Sequence, residues 1–242
     1  MNILIAEDDP FHRAFLSSTI RATLPDCEEV FEAANGAEAL EIVEREAIDG
    51  VVMDLQMPQV SGIAAASRIW QRRPSMRILF WSNYADEAYV RGISRIVPKD
   101  TAYGYLLKTA SEHRLGLAVQ GVFREDQCII DREIRGVQER AQDIHEGLSN
   151  AEFEVLLDIA LGLTDKAISA RRNISTRSVQ SRLKHLYEKL GIEQENLTEE
   201  IGPAFNSRTR AVAIAWARGL LNAEGMARAE EEFEAWRARI SN

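Results

Sequence analysis

Three acids, Glu7, Asp8 and Asp9, follow the apolar run at residues 3–6 directly. A fourth, Asp54, closes the run at 51–53. Ser82 and Asn83 follow the run at 78–81, and Lys99 follows a short one at 96–97. If these runs are strands of one parallel sheet, their C-terminal ends converge where open α/β sheets hold ligands. Clustered carboxylates repel one another, so a divalent cation or raised pKa values must relieve them. Mg2+ fits, because it takes oxygen ligands from one or two carboxylates, phosphate oxygens and water. A carboxylate beside that metal can attack phosphorus, while the metal, a lysine and a hydroxyl stabilise the transferring oxygens. Asp54 is then the nucleophile. Each residue alone has a plainer reading, since a lone Asp after a strand is usually a cap and a lone Lys a solvated group. The inference rests on finding all of them at consecutive strand ends.

A second group is basic. Between Lys166 and Lys189 stand seven basic residues (Lys166, Arg171, Arg172, Arg177, Arg182, Lys184 and Lys189) against one acid, Glu188, a local balance of +6. Ser149 with Glu152 makes a capping-box pattern, Gly162 can end a helix, and Thr164 or Asp165 can cap the next. Asn173-Ile174-Ser175-Thr176 gives another break and cap before a helical run from Val179 to Leu190. Two short helices joined by a tight turn make a helix-turn-helix, whose second helix enters the major groove. Arg177, Gln180, Ser181, Arg182 and Lys184 are its exposed candidates, with Lys166 and Arg171 beside them, while Val179, Leu183, Leu186 and Leu190 face the core. Arg suits guanine, Gln suits adenine and Lys suits phosphate. The plain alternative is a solvated basic helix face.

The elements that must position these groups alternate in the first half. Strands are expected at 3–6, 29–33, 51–53, 78–81 and 96–97, and helices at 11–24, 37–46, 63–72 and 102–119. That order predicts a doubly wound five-stranded parallel sheet covered by helices, followed by an all-α domain. From 125 to 148 the pattern is helical, and Ile130, Ile134, Val137, Ala141, Ile144 and Leu148 repeat at a/d spacing. Residues 193–205 read as a loop, and helical spacing resumes at 209–221 and 223–240. The domains expected are 1–122, a linker helix 123–147, and a helix-turn-helix domain 148–242 with an inserted loop 193–205 and an extra C-terminal helix.

With 242 residues, 45% hydrophobic and 28% charged, the chain suits two small globular domains. The net charge of −9 argues against DNA until its distribution is considered. No apolar stretch approaches the ~20 residues that cross a bilayer. No basic region precedes the first apolar run, unlike a signal peptide. Cys27 and Cys128 have no metal spacing and read as free thiols of a cytoplasmic protein.

Residues 1–120 resemble the receiver domain of two-component response regulators. The resemblance is carried by Ile3-Leu4-Ile5-Ala6-Glu7-Asp8-Asp9-Pro10, by Val51-Val52-Met53-Asp54-Leu55-Gln56-Met57-Pro58 with Gly62, by Ile78-Leu79-Phe80-Trp81-Ser82, and by Val97-Pro98-Lys99. It implies phosphorylation of Asp54 by a histidine kinase. It also implies Mg2+ held by Glu7, Asp8, Asp54 and the Gln56 carbonyl, with Ser82 and Lys99 on the phosphoryl group. Asp9 is left as a capping or neighbouring residue. The family usually has a small residue where Asn83 stands, and an aromatic three places before the lysine, where Ile96 stands. Residues 148–192 resemble the LuxR-type helix-turn-helix of FixJ- and NarL-like regulators. The matching stretches are Glu-x-Glu-Val-Leu, Gly162-Leu163-Thr164-Asp165-Lys166, Ile174-Ser175-x-x-Ser178-Val179 and Lys189-Leu190-Gly191-Ile192.

The reading is a DNA-binding response regulator controlling transcription, with no catalysis beyond its own phosphorylation and dephosphorylation. Expected partners are a histidine kinase, double-stranded DNA and a second copy of the chain, with no membrane. The 130–148 seam and the stripe Met226, Ala229, Phe233, Trp236 and Ile240 motivate the homodimer, and packing of the terminal helix onto its own domain is its rival. Alternative functions are a receiver-controlled protein-interaction regulator and a phosphorylation-independent DNA-binding regulator.

Overall fold

The computed structural model describes residues 1–142, 147–193, 196–198 and 202–240. The chain divides into two compact units. One comprises Met1–Ala85 with Val90–Arg135, the other Asp86–Tyr89 with Gly136–Asn242.

Through the first unit, with residues 87–89 at the start of α4 counted in the second, the order is β1 (Asn2–Ala6), α1 (Pro10–Thr23), β2 (Glu29–Ala33), α2 (Gly36–Arg45), β3 (Gly50–Met53), α3 (Gly62–Arg72), β4 (Arg77–Ser82), α4 (Glu87–Ile96), β5 (Tyr103–Leu107), α5 (Glu112–Phe123) and β6 (Ile129–Ile130). The sheet runs β2-β1-β3-β4-β5-β6, with every pair parallel. It is doubly wound as expected, but six-stranded, not five. The central strands are buried on both faces, which is why they read as unbroken apolar runs. Ile3, Ile5, Val52, Leu79, Trp81 and Leu106 pack with Leu16, Ile20, Leu115 and Val119 of α1 and α5.

The reading of 96–119 is corrected. Ile96 ends α4, and residues 102–119 contain β5 and α5 in place of one helix. Tyr103-Gly104-Tyr105-Leu106-Leu107 is an aromatic and apolar run suited to a buried strand. A Cβ at Gly104 would lie 2.4 Å from Leu79 Cδ1, so any larger residue would have to displace that buried leucine. The helix expected from 125 is also interrupted. Ile130 pairs with Tyr105 in β6, and α6 (Arg132–Gln142) begins after it. Ile134 is buried, Ile144 lies outside the described residues, and the six positions do not form one helical seam.

The second unit contains α7 (Asn150–Ala160), α8 (Asp165–Arg172), α9 (Thr176–Leu190), β7 (Asn196–Thr198), β8 (Gly202–Pro203), α10 (Ser207–Ala217) and α11 (Ala223–Ile240). Expected caps are present. Ser149 and Glu152 form a capping box, and Thr164 and Ser175 accept from Ala167 N and Ser178 N. Asn173 and Gly191 close α8 and α9 with left-handed backbone. The stretch read as a loop carries the antiparallel pair β7–β8. Val155, Leu156, Ile168, Val179, Leu183, Leu186 and Ala211 form the core, and α11 adds Ala229 with Met226 and Phe233 against it.

Candidate phosphoacceptor site and nucleic-acid interface

The strand ends bring Glu7, Asp8, Asp54 and Ser82 to one edge, as expected. Glu7 and Ser82 are fully buried, Asp54 nearly so, and Asp8 is exposed. One carboxylate oxygen from each of Glu7, Asp8 and Asp54 lies within 4.8 Å of the others. Asp9 caps α1, accepting from Phe11 N at 2.8 Å and His12 N at 3.0 Å. Those backbone bonds, the His12 amide foremost, hold its carboxyl below the usual range. Gly62 lets α3 cross the Asp54 backbone, since a Cβ there would lie 1.8 Å from the Asp54 carbonyl oxygen.

The lysine of the site is Lys108, not Lys99. Lys99 is exposed before β5, whereas Lys108 follows that strand directly. Its Nζ donates to Glu7 Oε1 at 2.9 Å and Asp54 Oδ2 at 3.0 Å. With the lysine reassigned, Tyr105 stands three places before it, and the apparent departure at Ile96 disappears. Tyr105 is buried, and its hydroxyl donates to the Tyr84 carbonyl at 2.7 Å. Asn83 is exposed beside Ser82. Lys108 and Tyr105 escape a sequence reading that makes 102–119 one helix, because they lie on and just after β5. The signal was the apolar run ending in a lysine. His12, also missed, places Nδ1 3.6 Å from Glu7 Oε1.

Burial raises the pKa of Asp54, against the opposing pull of the Lys108 charge. Burial also raises Glu7, with the Asp54 charge adding to it against the Lys108 hydrogen bond. Burial disfavours the Lys108 ammonium, but the bond to Glu7 and the two carboxylate charges outweigh it and raise its pKa. Glu7 Oε2 is buried without a hydrogen bond, although Lys108 Nζ lies 2.8 Å away. Three carboxylates converging within 4.8 Å, an oxygen-only set, suit a hard divalent cation.

In the second unit α9 buries Val179, Leu183, Leu186 and Leu190, as expected. Lys166, Arg177, Gln180, Ser181 and Lys184 are exposed and Arg182 partly so. Arg171 is corrected. Its side chain is only 5% exposed, 2.9 Å from the fully buried Asp158. It also donates to the Ala229 carbonyl at 3.3 Å and sits over the Phe233 ring. Arg171 therefore fastens α8 to α7 and α11, and is not among the exposed side chains expected of a DNA contact. Arg172 likewise binds Asp158, and Lys189 binds Glu152 at 2.9 Å. Part of the local +6 is thus spent inside the unit.

Residues 3–120 match the response regulator receiver domain family, and residues 146–198 match the bacterial regulatory proteins of the luxR family. The chain is 34% identical over 196 residues to the transcriptional regulatory protein YdfI of Bacillus subtilis, covering 78% of this chain and 84% of that one. It is 31% identical over 207 residues to the oxygen regulatory protein NreC of Staphylococcus carnosus, covering 81% and 93%. This chain belongs to the response regulators that join a receiver to a LuxR-type DNA-binding domain. The fold is also similar to that of Salmonella enterica serovar Typhimurium RcsB bound to promoter rprA in the presence of phosphomimetic BeF3-. That likeness has a TM-score of 0.58 at 20% identity, over 88% of this chain and 97% of RcsB. No described helix of the response regulator is long and apolar enough to cross a membrane.

Proposed function

We propose that Asp54 accepts a phosphoryl group from a histidine kinase and that this controls binding of α9 to double-stranded DNA, and so transcription. The observation that carries the reading is Lys108 Nζ bridging Glu7 and Asp54 beside the exposed carboxylate of Asp8. Glu7, Asp8 and Asp54, with the Gln56 carbonyl, would hold Mg2+, which would supply charge neutralisation for the transferring oxygens. Asp54 Oδ attacks the phosphorus in line, and the phosphoryl–donor bond breaks as the acyl phosphate forms. Lys108 shifts its hydrogen bond from the carboxylate to a phosphoryl oxygen, and the Ser82 hydroxyl donates to another. The reading includes no chemistry beyond this phosphorylation and its hydrolysis.

Lys166, Arg177, Gln180, Ser181, Arg182 and Lys184 are the proposed DNA contacts. A second copy of the chain on two-fold symmetric half-sites completes the proposal, with the cytoplasm as its compartment.

Acetyl phosphate with Mg2+ should add one phosphate to the parent chain and none to Asp54→Asn. Operators recovered by footprinting should then be bound more tightly by the phosphorylated parent alone. Equal phosphate uptake by Asp54→Asn rejects the pocket. Operator affinity that does not respond to phosphorylation favours the phosphorylation-independent regulator. A flat dependence of affinity on salt favours the protein-interaction reading.

A further inference from the structure

Beside its DNA-facing candidates, α9 borders a cavity of about 740 Å³, within the ~300–1,000 Å³ typical of small-molecule sites. Leu183, Tyr187, Ile192 and Phe205 supply its apolar lining. Leu183 and Ile192 are buried, and Tyr187 and Phe205 half-buried. Arg208 and the first turn of α10 supply the polar end.

That end favours an anion. Arg208 Nε and Nη2 are buried and make no hydrogen bond. Asp165 Oδ1 lies 3.1 Å from Nη2 and Glu188 also lines the cavity, and both acids offset part of the positive charge. The first turn of α10 contains no acid, and the helix dipole adds positive potential there. Lys184 stands at the rim, only loosely paired with Glu188 at 3.9 Å. Burial raises the pKa of the Tyr187 hydroxyl, which therefore stays protonated. Asp165 meets only Nη2, so the buried Nε–H still lacks an acceptor, and an anionic oxygen would relieve that cost.

We propose that this cavity binds a small organic carboxylate with an apolar chain or ring. Its carboxylate meets Arg208, and its body lies against Leu183, Tyr187, Ile192 and Phe205. A DNA phosphate could meet Arg208 but would leave the apolar lining uncovered. Because Gln180 and Lys184 also line the cavity, its occupant touches the helix proposed to read DNA.

The test is calorimetric titration of the full chain with octanoate and, separately, with 1-octanol. Octanoate should bind saturably with one site, and octanol about tenfold more weakly, the loss expected for a charge-assisted hydrogen bond. Arg208→Gln and Phe205→Glu should each weaken octanoate about tenfold while retaining the parent's circular dichroism. If Arg208→Gln misfolds, Phe205→Glu carries the test, because Phe205 lies outside the helices. Octanoate binding that is absent, no tighter than octanol, or unmoved in the folded variants overturns the proposal.

Discussion

Lys108 is the residue on which the phosphoacceptor reading turns. Lys108→Ala should reduce stable phosphorylation of Asp54 at least about tenfold, because a charge-assisted contact to the phosphoryl group is lost. Lys99→Ala should leave phosphorylation unchanged, and phosphate uptake followed by intact mass distinguishes the two. The carboxylates give a second expectation. Glu7 and Asp54 titrate above their unfolded values, so the folded chain holds extra protons between the unfolded and folded pKa values. Stability must therefore fall as pH rises through that window. Lys108 gives a slope of the same sign in its own alkaline window, since its raised pKa contributes stability that is lost as pH rises through its folded value. Glu7→Gln should raise the melting temperature in metal-free buffer near neutral pH and reduce the further rise given by Mg2+. Melting curves across pH, with and without Mg2+, check both signs. A variant less stable than the parent without metal would contradict the carboxylate strain.

At the level of elements, legibility followed the strength of the local pattern. Residues 29–33 are legible with the bounds of β2, and so is the Ser149 cap, while the structure selects Thr164 over Asp165 and Ser175 within 173–176, because a hydroxyl before a helix acts locally. The stretch 96–119 was misread because Pro98-Lys99 imitates the motif that Leu107-Lys108 supplies. Arg171 was misassigned because sequence gives its charge but not Asp158 lying beneath it. Arg171→Ala should lower stability by about 1–3 kcal/mol, as loss of charged hydrogen bonds does, with the salt slope of DNA binding unchanged. Arg182→Ala should instead weaken specific binding by about 1–3 kcal/mol if it reads a base, and Lys184→Ala should flatten the salt slope by about one contact. Denaturant melts beside salt-dependent anisotropy separate these effects.

For the whole molecule, the open question of assembly has changed form. The terminal helix packs Met226, Ala229 and Phe233 on its own domain, so the intramolecular rival accounts for the first part of that stripe. Trp236 stacks on Phe233, and Ile240 remains exposed. Ending the chain at Asn222 would therefore damage the fold as well as any interface, and Asp at the buried Ile134 would do the same. Ile240→Asp and Trp216→Asp, on exposed side chains, probe assembly more cleanly. Sedimentation should give twice the chain mass for the phosphorylated parent at micromolar concentration, and a monomer in both phosphorylation states would reject the homodimer. The charge of the chain needed the same correction of scale, since a net −9 says little about a protein that exposes Arg177 and Lys184 along one face of α9.

The sixth strand turns the exit from the receiver into a mechanical seam. The backbone leaving α5 is stitched to the strand that carries Tyr105, and Asp131 N donates to the Tyr105 carbonyl at 2.9 Å. A slack tether would let its amide protons exchange freely with solvent. Here the Asp131 amide is held by the same strand that ends beside Lys108. Tension along the chain beyond Asp131 must unpick that stitch before β5 is released, and a shift of β5 must loosen it from the other side. The exchange rate of a single amide hydrogen thus reports on how firmly the phosphoacceptor end of the sheet is fastened.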